Sequence, residues 1–191
     1  VDTASPGPDV IFSDEVESLR ADVEALTAEG VNKIIAVTHV GLPMDLVIAE
    51  QVPGLDAVIG GHSHSYLSAS DPARHGAYPT WVSQSDGTMV PVVQAYAYGK
   101  YLGHLELTFD AEGALVYAGG NTILIDASVE PDPAIAARVA ELAGPIEELK
   151  ARVVAESAVE IDGNRDSCRQ VECTMGNLVA DAILERVRGQ G

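Results

Sequence analysis

Two histidine settings in this chain have the form that presents an imidazole to a ligand. In one, Ile34-Ile35-Ala36-Val37-Thr38 runs into His39, with Gly41 close behind. In the other, Asp56-Ala57-Val58-Ile59 runs into Gly60-Gly61-His62-Ser63-His64. Each reads as a buried strand whose carboxyl end carries a histidine. Ligands of open α/β sheets gather outside those ends, and glycine lets backbone approach a ligand closely. Imidazole suits zinc, manganese, iron and nickel. His62 and His64, two residues apart beside a turn, suit two neighbouring ions better than one, as in two-metal hydrolases. The competing reading of all three is packed histidines with a core role, and spacing alone leaves both open.

The elements that must hold these residues follow from periodicity. Ser13 can cap a helix with acidic Asp14 and Glu15 in its first turn. Val16, Leu19, Val23 and Leu26 then recur at helical spacing until Gly30. Strand Ile34–Thr38, a helix from about Pro43 to Gln51, and strand Asp56–Ile59 make a β-α-β unit with a right-handed crossover. Residues 1–9 and 65–80 read as loops. Val90–Ala95 reads as a strand, and 101–109 alternates with a period of two. Leu115–Ala118 and Thr122–Ile125 read as two short strands. Ile135, Val139, Leu142, Ile146 and Leu149 are helical again, with a kink or break expected at Gly144-Pro145. A strand over 152–161 and a helix from Met175 to Arg188 follow. The fold class is α/β: a mixed β-sheet sandwich with outer helices, a connector helix, and the start of a second α/β domain.

Composition narrows the function. The chain has 191 residues, 47% of them hydrophobic, and a net charge of −18. That charge opposes binding of nucleic-acid polymers, which need Lys and Arg on phosphates, and repels small anions at long range. A phosphate site here therefore needs concentrated local positive charge, from metal ions and a few arginines. No apolar run approaches the roughly 20 residues of a membrane helix, and Val1-Asp2-Thr3 does not open a signal peptide. The two cysteines, Cys168 and Cys173, flank Arg169-Gln170-Val171-Glu172 in a polar loop. A local disulfide is the favoured reading, with a metal or redox pair as the alternative. A disulfide would place the protein in an oxidising compartment.

Several blocks, in order, carry a family resemblance. They are Thr38-His39-Val40-Gly41, Gly60-Gly61-His62-Ser63-His64, Val90-Pro91-Val92-Val93-Gln94-Ala95-Tyr96-Ala97-Tyr98-Gly99-Lys100-Tyr101-Leu102-Gly103, Ser167-Cys168-Arg169, and Glu172-Cys173-Thr174-Met175-Gly176-Asn177-Leu178. Together they resemble the 5′-nucleotidase family of calcineurin-like metallophosphoesterases, nearest the ecto-5′-nucleotidase type. The resemblance implies that His39 and His62 bind one of two divalent ions, zinc or manganese. His64 matches a position that often carries Asn or Gln and contacts the other ion. Arg169 matches a residue that contacts substrate phosphate, and Asn177 belongs to a helix start. The implied reaction is hydrolysis of a nucleoside 5′-monophosphate to nucleoside and phosphate, in an extracytoplasmic setting.

The resemblance also implies parts that this chain does not carry. Neither the family's Asp-x-His motif nor its Asn-His-Asp/Glu motif, with the catalytic histidine, occurs in residues 1–30. No catalytic residue is therefore assigned in this chain. The expected division is residues 1–126 as the C-terminal half of the metallophosphoesterase domain, 127–151 as a connector helix, and 152–191 as the opening of the substrate domain. Its partners would be a nucleotide substrate and the missing N-terminal and C-terminal parts of the same protein. The chain alone would then be inactive. Two other readings are a noncatalytic binding module of the same fold, and a 2′,3′-cyclic-nucleotide phosphodiesterase or UDP-sugar hydrolase.

Overall fold

The computed structural model describes residues 7–188. The chain divides into two compact units, Val1–Glu130 and Pro131–Gly191. The loop expected over residues 1–9 lies outside the described residues as far as position 6.

In the first unit, helix α1 (Glu15–Ala28) is capped by Asp14, whose carboxylate accepts from the Glu17 N–H at 2.9 Å. The cap is thus one residue later than Ser13, because a carboxylate at a helix start satisfies a free N–H and also meets the positive end of the dipole. Strand β1 (Ile35–Val37), helix α2 (Leu42–Gln51) and strand β2 (Ala57–Ile59) form the expected β-α-β unit, with β1 and β2 parallel. Strands β3 (Thr80–Ser83) and β4 (Met89–Val93) complete a sheet of order β1-β2-β4-β3, with β4 parallel to β2 and β3 antiparallel to β4. Strand β3 begins at the last residue of the expected loop; four residues with half-buried alternation are too short a pattern to stand out in sequence.

Alternation decides which face of this sheet is core. Ile34, Ala36, Val58, Val90 and Val92 bury against Val16 and Val23 of α1 and against Ile48, Ala49 and Val52 in and after α2. Ile35, Val37 and Ile59 point the other way and are exposed. A smaller cluster of Leu67, Tyr78 and Val93 takes in Leu105 from strand β5 (Tyr101–Phe109).

Strand β5 pairs antiparallel with β6 (Leu115–Leu124). The two short strands expected in this stretch are one. Gly119 and Gly120, which lie between the two expected strands, pair across the ladder with Glu106 and Leu105.

In the second unit, helix α3 (Pro133–Ala151) continues through Pro145, so of the expected kink or break the break does not occur. A proline costs an interior helix one N–H, and the turns on both sides carry the helix across it. No strand forms over 152–161, where Val153, Val154 and Val159 are exposed. A strand needs a partner for its backbone, and none pairs with this segment among the described residues. The cysteine loop holds a short helical turn, α4 (Arg165–Cys168), and helix α5 (Thr174–Arg188) follows.

Candidate functional site

The carboxyl ends of β1 and β2 are adjacent because the strands are parallel neighbours, with Val37 opposite Ile59. Thr38 continues the pairing by donating its N–H to the Ile59 carbonyl at 3.0 Å. The next residue on each side begins the loops that carry His39 and His62. Their rings meet edge to face, with centroids 5.2 Å apart and planes at 73°. His64 instead packs edge to face on Tyr98, with centroids 5.1 Å apart. All three histidines are exposed, which does not fit the core-histidine reading. Among the described residues, no three His, Cys, Asp or Glu side chains gather into a set that could hold an ion. The pair His39 and His62 is what the fold brings together.

Backbone conformation at the site is unusual. His62 (φ 72°), His64 (φ 52°), Tyr96 (φ 64°) and Tyr98 (φ 59°) all occupy the left-handed region. For residues other than glycine each costs about 1–2 kcal/mol, and such residues cluster where a fold holds side chains for function. They lie in the two loops that follow β2 and β4.

A buried polar lattice holds those loops. Gln94, just past β4 and 2% exposed, accepts from the Ser65 N–H and from the Ser63 hydroxyl, and donates its amide to the Gly61 carbonyl at 3.0 Å. Ser63 Oγ also accepts the Leu42 N–H at 3.0 Å, tying the start of α2 to the same loop. On the other side, Asp45 of α2 is fully buried. It accepts from Thr38 Oγ1 through one oxygen, while its Oδ2 has no partner. Sequence reasoning passed over Asp45 and Gln94. The signal was there: Asp45 interrupts an apolar helix, and Gln94 ends the buried run Val90–Val93.

Burial pushes the Asp45 carboxyl above the usual carboxylate range, against the opposing pull of the Thr38 hydroxyl. A carboxyl with a raised folded pKa binds more protons folded than unfolded. Its contribution to stability is therefore full at low pH and is lost as pH rises through the folded pKa. Asp45→Asn should remove that loss. Urea unfolding from pH 3 to 8 should show the variant gaining on the parent as pH rises; a constant difference would contradict it.

In the second unit, Cys168 and Cys173 form a disulfide with Cα atoms 5.1 Å apart. It closes a small loop with exposed Arg169 at the end of α4. Asn177 lies in the first turn of α5, its N–H donating to the Cys173 carbonyl at 3.0 Å and its amide to Glu172 Oε1 at 2.8 Å. Chain entropy assigns so short a crosslink about 2 kcal/mol. Reduction should therefore speed hydrogen exchange at the Gly176 N–H, which bonds Cys173 Sγ at 3.3 Å, and leave β1, β2 and β4 unchanged. Equal acceleration in both units would refute a local role.

Comparison with known proteins falls on the same ground. No protein-family model matches the chain. A snake venom 5′-nucleotidase of Naja atra is 41% identical over 185 residues, which is 95% of this chain and 35% of that protein. A 5′-nucleotidase of Homo sapiens is also 41% identical, over 95% of this chain and 32% of its own length. The chain thus spans about a third of the curated relatives it matches. Among solved structures, a 5′-nucleotidase precursor from Thermus thermophilus superposes with a TM-score of 0.77 at 39% identity, covering 97% of this chain and 38% of that one. An NAD nucleotidase of Haemophilus influenzae, 22% identical with a TM-score of 0.53 over 95% of this chain and 36% of its own, shares the fold. Over the part of those proteins that it spans, this chain belongs to the 5′-nucleotidase family.

Proposed function

We propose that this chain is part of a two-metal nucleotide phosphohydrolase that cleaves nucleoside 5′-monophosphates to nucleoside and phosphate. The observation that carries the reading is the exposed His39–His62 pair at the adjacent ends of two parallel strands. The surroundings fit an ion. A Cβ at Gly61 would come within 2.9 Å of His39 Nδ1, so glycine keeps the space beside that nitrogen open. His39 and His62 would hold one ion and His64 the second, with zinc or manganese matched to imidazole. Such ions polarise phosphoryl oxygens and lower the pKa of bound water. The chain's own residues bind and orient. Arg169 offers a planar guanidinium that suits a phosphate, and the disulfide beside it limits how far its loop can move. No residue here is assigned as acid or base, so the chain alone should turn over little substrate. The disulfide, with relatives that include venom proteins, supports an extracytoplasmic setting.

Zinc titration of this chain, followed through the ring signals of its five histidines, tests the metal assignment. His39 and His62 should shift first and together, with His75 and His104 unmoved. Unchanged signals at His39, His62 and His64 under millimolar zinc would end the reading. Turnover of AMP by this chain alone near ~10 s⁻¹, an ordinary enzyme rate, would show that it is no mere part of the catalyst.

A further inference from the structure

We infer that Asp45 is a positioning residue that sets the separation of His39 and His62, acting through the ends of the two strands that carry them. The inference rests on the metal-site reading only for its purpose; the geometry stands without it.

The carboxyl group lies between both strand ends. One oxygen takes the hydroxyl hydrogen of Thr38, the residue before His39. The other lies over Gly60, two residues before His62, where a Cβ would meet it at 2.0 Å. The same Cβ would come within 3.3 Å of Gln94 Nε2. Asp45 therefore occupies the side-chain space that Gly60 leaves empty, and it fixes how close the end of β2 comes to Thr38. Helix α2 supplies the third point of support. The Asp45 N–H donates to the Gly41 carbonyl at 3.0 Å, and α2 packs its buried Ile48 and Ala49 into the core.

A carboxylate in such a place is a poor choice for stability alone. It is fully buried, has an oxygen with no partner, and sits on a helix whose neighbouring side chains are apolar. A buried polar atom left unpaired costs about 1–3 kcal/mol. Groups retained at such a cost concentrate where geometry matters for function. Its two neighbours, Thr38 and Gly60, each stand one or two residues from a histidine of the pair. His64, two residues further along and packed on Tyr98, lies between Ser63 and Ser65, which bond to Gln94 and not to Asp45. Asp45 should therefore govern one ring pair and not the other.

That separation makes the test specific. Nuclear Overhauser contacts between ring protons are measured in the metal-free chain, for His39–His62 and for His64–Tyr98. Asp45→Ala should lose the first contact and keep the second. Asp45→Asn, which keeps the shape and can still accept from Thr38, should keep both. Thr38→Val should weaken the first contact in the same way by removing the hydroxyl. Retention of the His39–His62 contact in Asp45→Ala would overturn the inference. So would loss of both contacts together, which would mark a general structural role. Zinc is then added to each variant. Asp45→Ala should bind it about 10–100-fold more weakly than the parent, the usual effect of an outer supporting group, with Asp45→Asn close to the parent. Equal zinc affinity in Asp45→Ala and the parent also overturns the inference. Should zinc fail to bind the parent at all, the metal reading falls, while the ring-contact result still decides the role of Asp45.

Discussion

Alanine in place of Gly60 should destabilise this protein by about 3 kcal/mol, whereas alanine at Gly61 should leave the fold almost intact and damage the histidine site. The two glycines are adjacent and neither has a left-handed backbone, so conformational freedom does not separate them. What separates them is the neighbour each lacks room for. A Cβ on Gly60 meets Asp45 Oδ2 at 2.0 Å and its Cγ at 2.8 Å. That carboxyl group cannot swing into water, because it is fully buried and bonded to Thr38. Overpacking of this kind costs about 1–3 kcal/mol, and a displaced charge-assisted hydrogen bond adds about 1.5–3 kcal/mol. The melting temperature should fall by roughly 10 °C. A Cβ on Gly61 meets His39 Nδ1 at 2.9 Å and the Thr38 carbonyl at 3.4 Å. The His39 ring is exposed and can rotate away, so stability should drop by less than about 1 kcal/mol, as for most surface changes. On the proposed metal reading, zinc affinity should still drop about 10-fold or more, since the ring leaves its place. Thermal melts and zinc titrations of the two variants check the contrast, and the reverse order of effects would refute it.

The same two glycines show how much of this site is legible in sequence. Strand, glycine and histidine in succession are a local pattern, and local pattern placed β1, α2, β2 and the ends that carry His39 and His62. It also placed β5, where alternation runs for nine residues. Contacts that depend on distant partners were not legible. Residues 119–120 fall outside the two short strands read from sequence until the ladder of β5 is laid beside them. Residues 152–161 look like a strand, yet nothing pairs with them among the described residues. Pro145 reads as a kink or break, yet α3 continues across it on the turns at either side. The site divides along the same line. His39 and His62 are read from their local setting, and the fold sets their rings side by side. Asp45 and Gln94 act on residues up to 33 positions away, and only the folded chain shows which loops they join.

Gln94 carries the second large effect. It serves the 60–65 loop with both ends of its amide, accepting at Oε1 and donating at Nε2. Gln94→Leu keeps the volume and removes both functions. The buried Ser65 N–H then loses its acceptor, while the Ser63 hydroxyl and Gly61 carbonyl keep other partners. One orphaned N–H costs about 1–3 kcal/mol, and each remaining lost bond about 1 kcal/mol, so about 3 kcal/mol in total is expected. Gln94→Glu makes the argument sharper. When protonated, that carboxyl accepts with one oxygen and donates with the other, as the amide does. When ionised it cannot donate to the Gly61 carbonyl, and it must bear its charge in a buried place near Asp45. Its folded pKa must therefore rise above its unfolded value, and its stability must be present at low pH and lost as pH rises. Urea unfolding should find Gln94→Glu close to the parent at about pH 4 and at least about 2 kcal/mol weaker at about pH 8. Gln94→Leu should be weakened at both. A pH-independent deficit in Gln94→Glu would mean that the amide's donated bond to Gly61 does not hold the histidine loop.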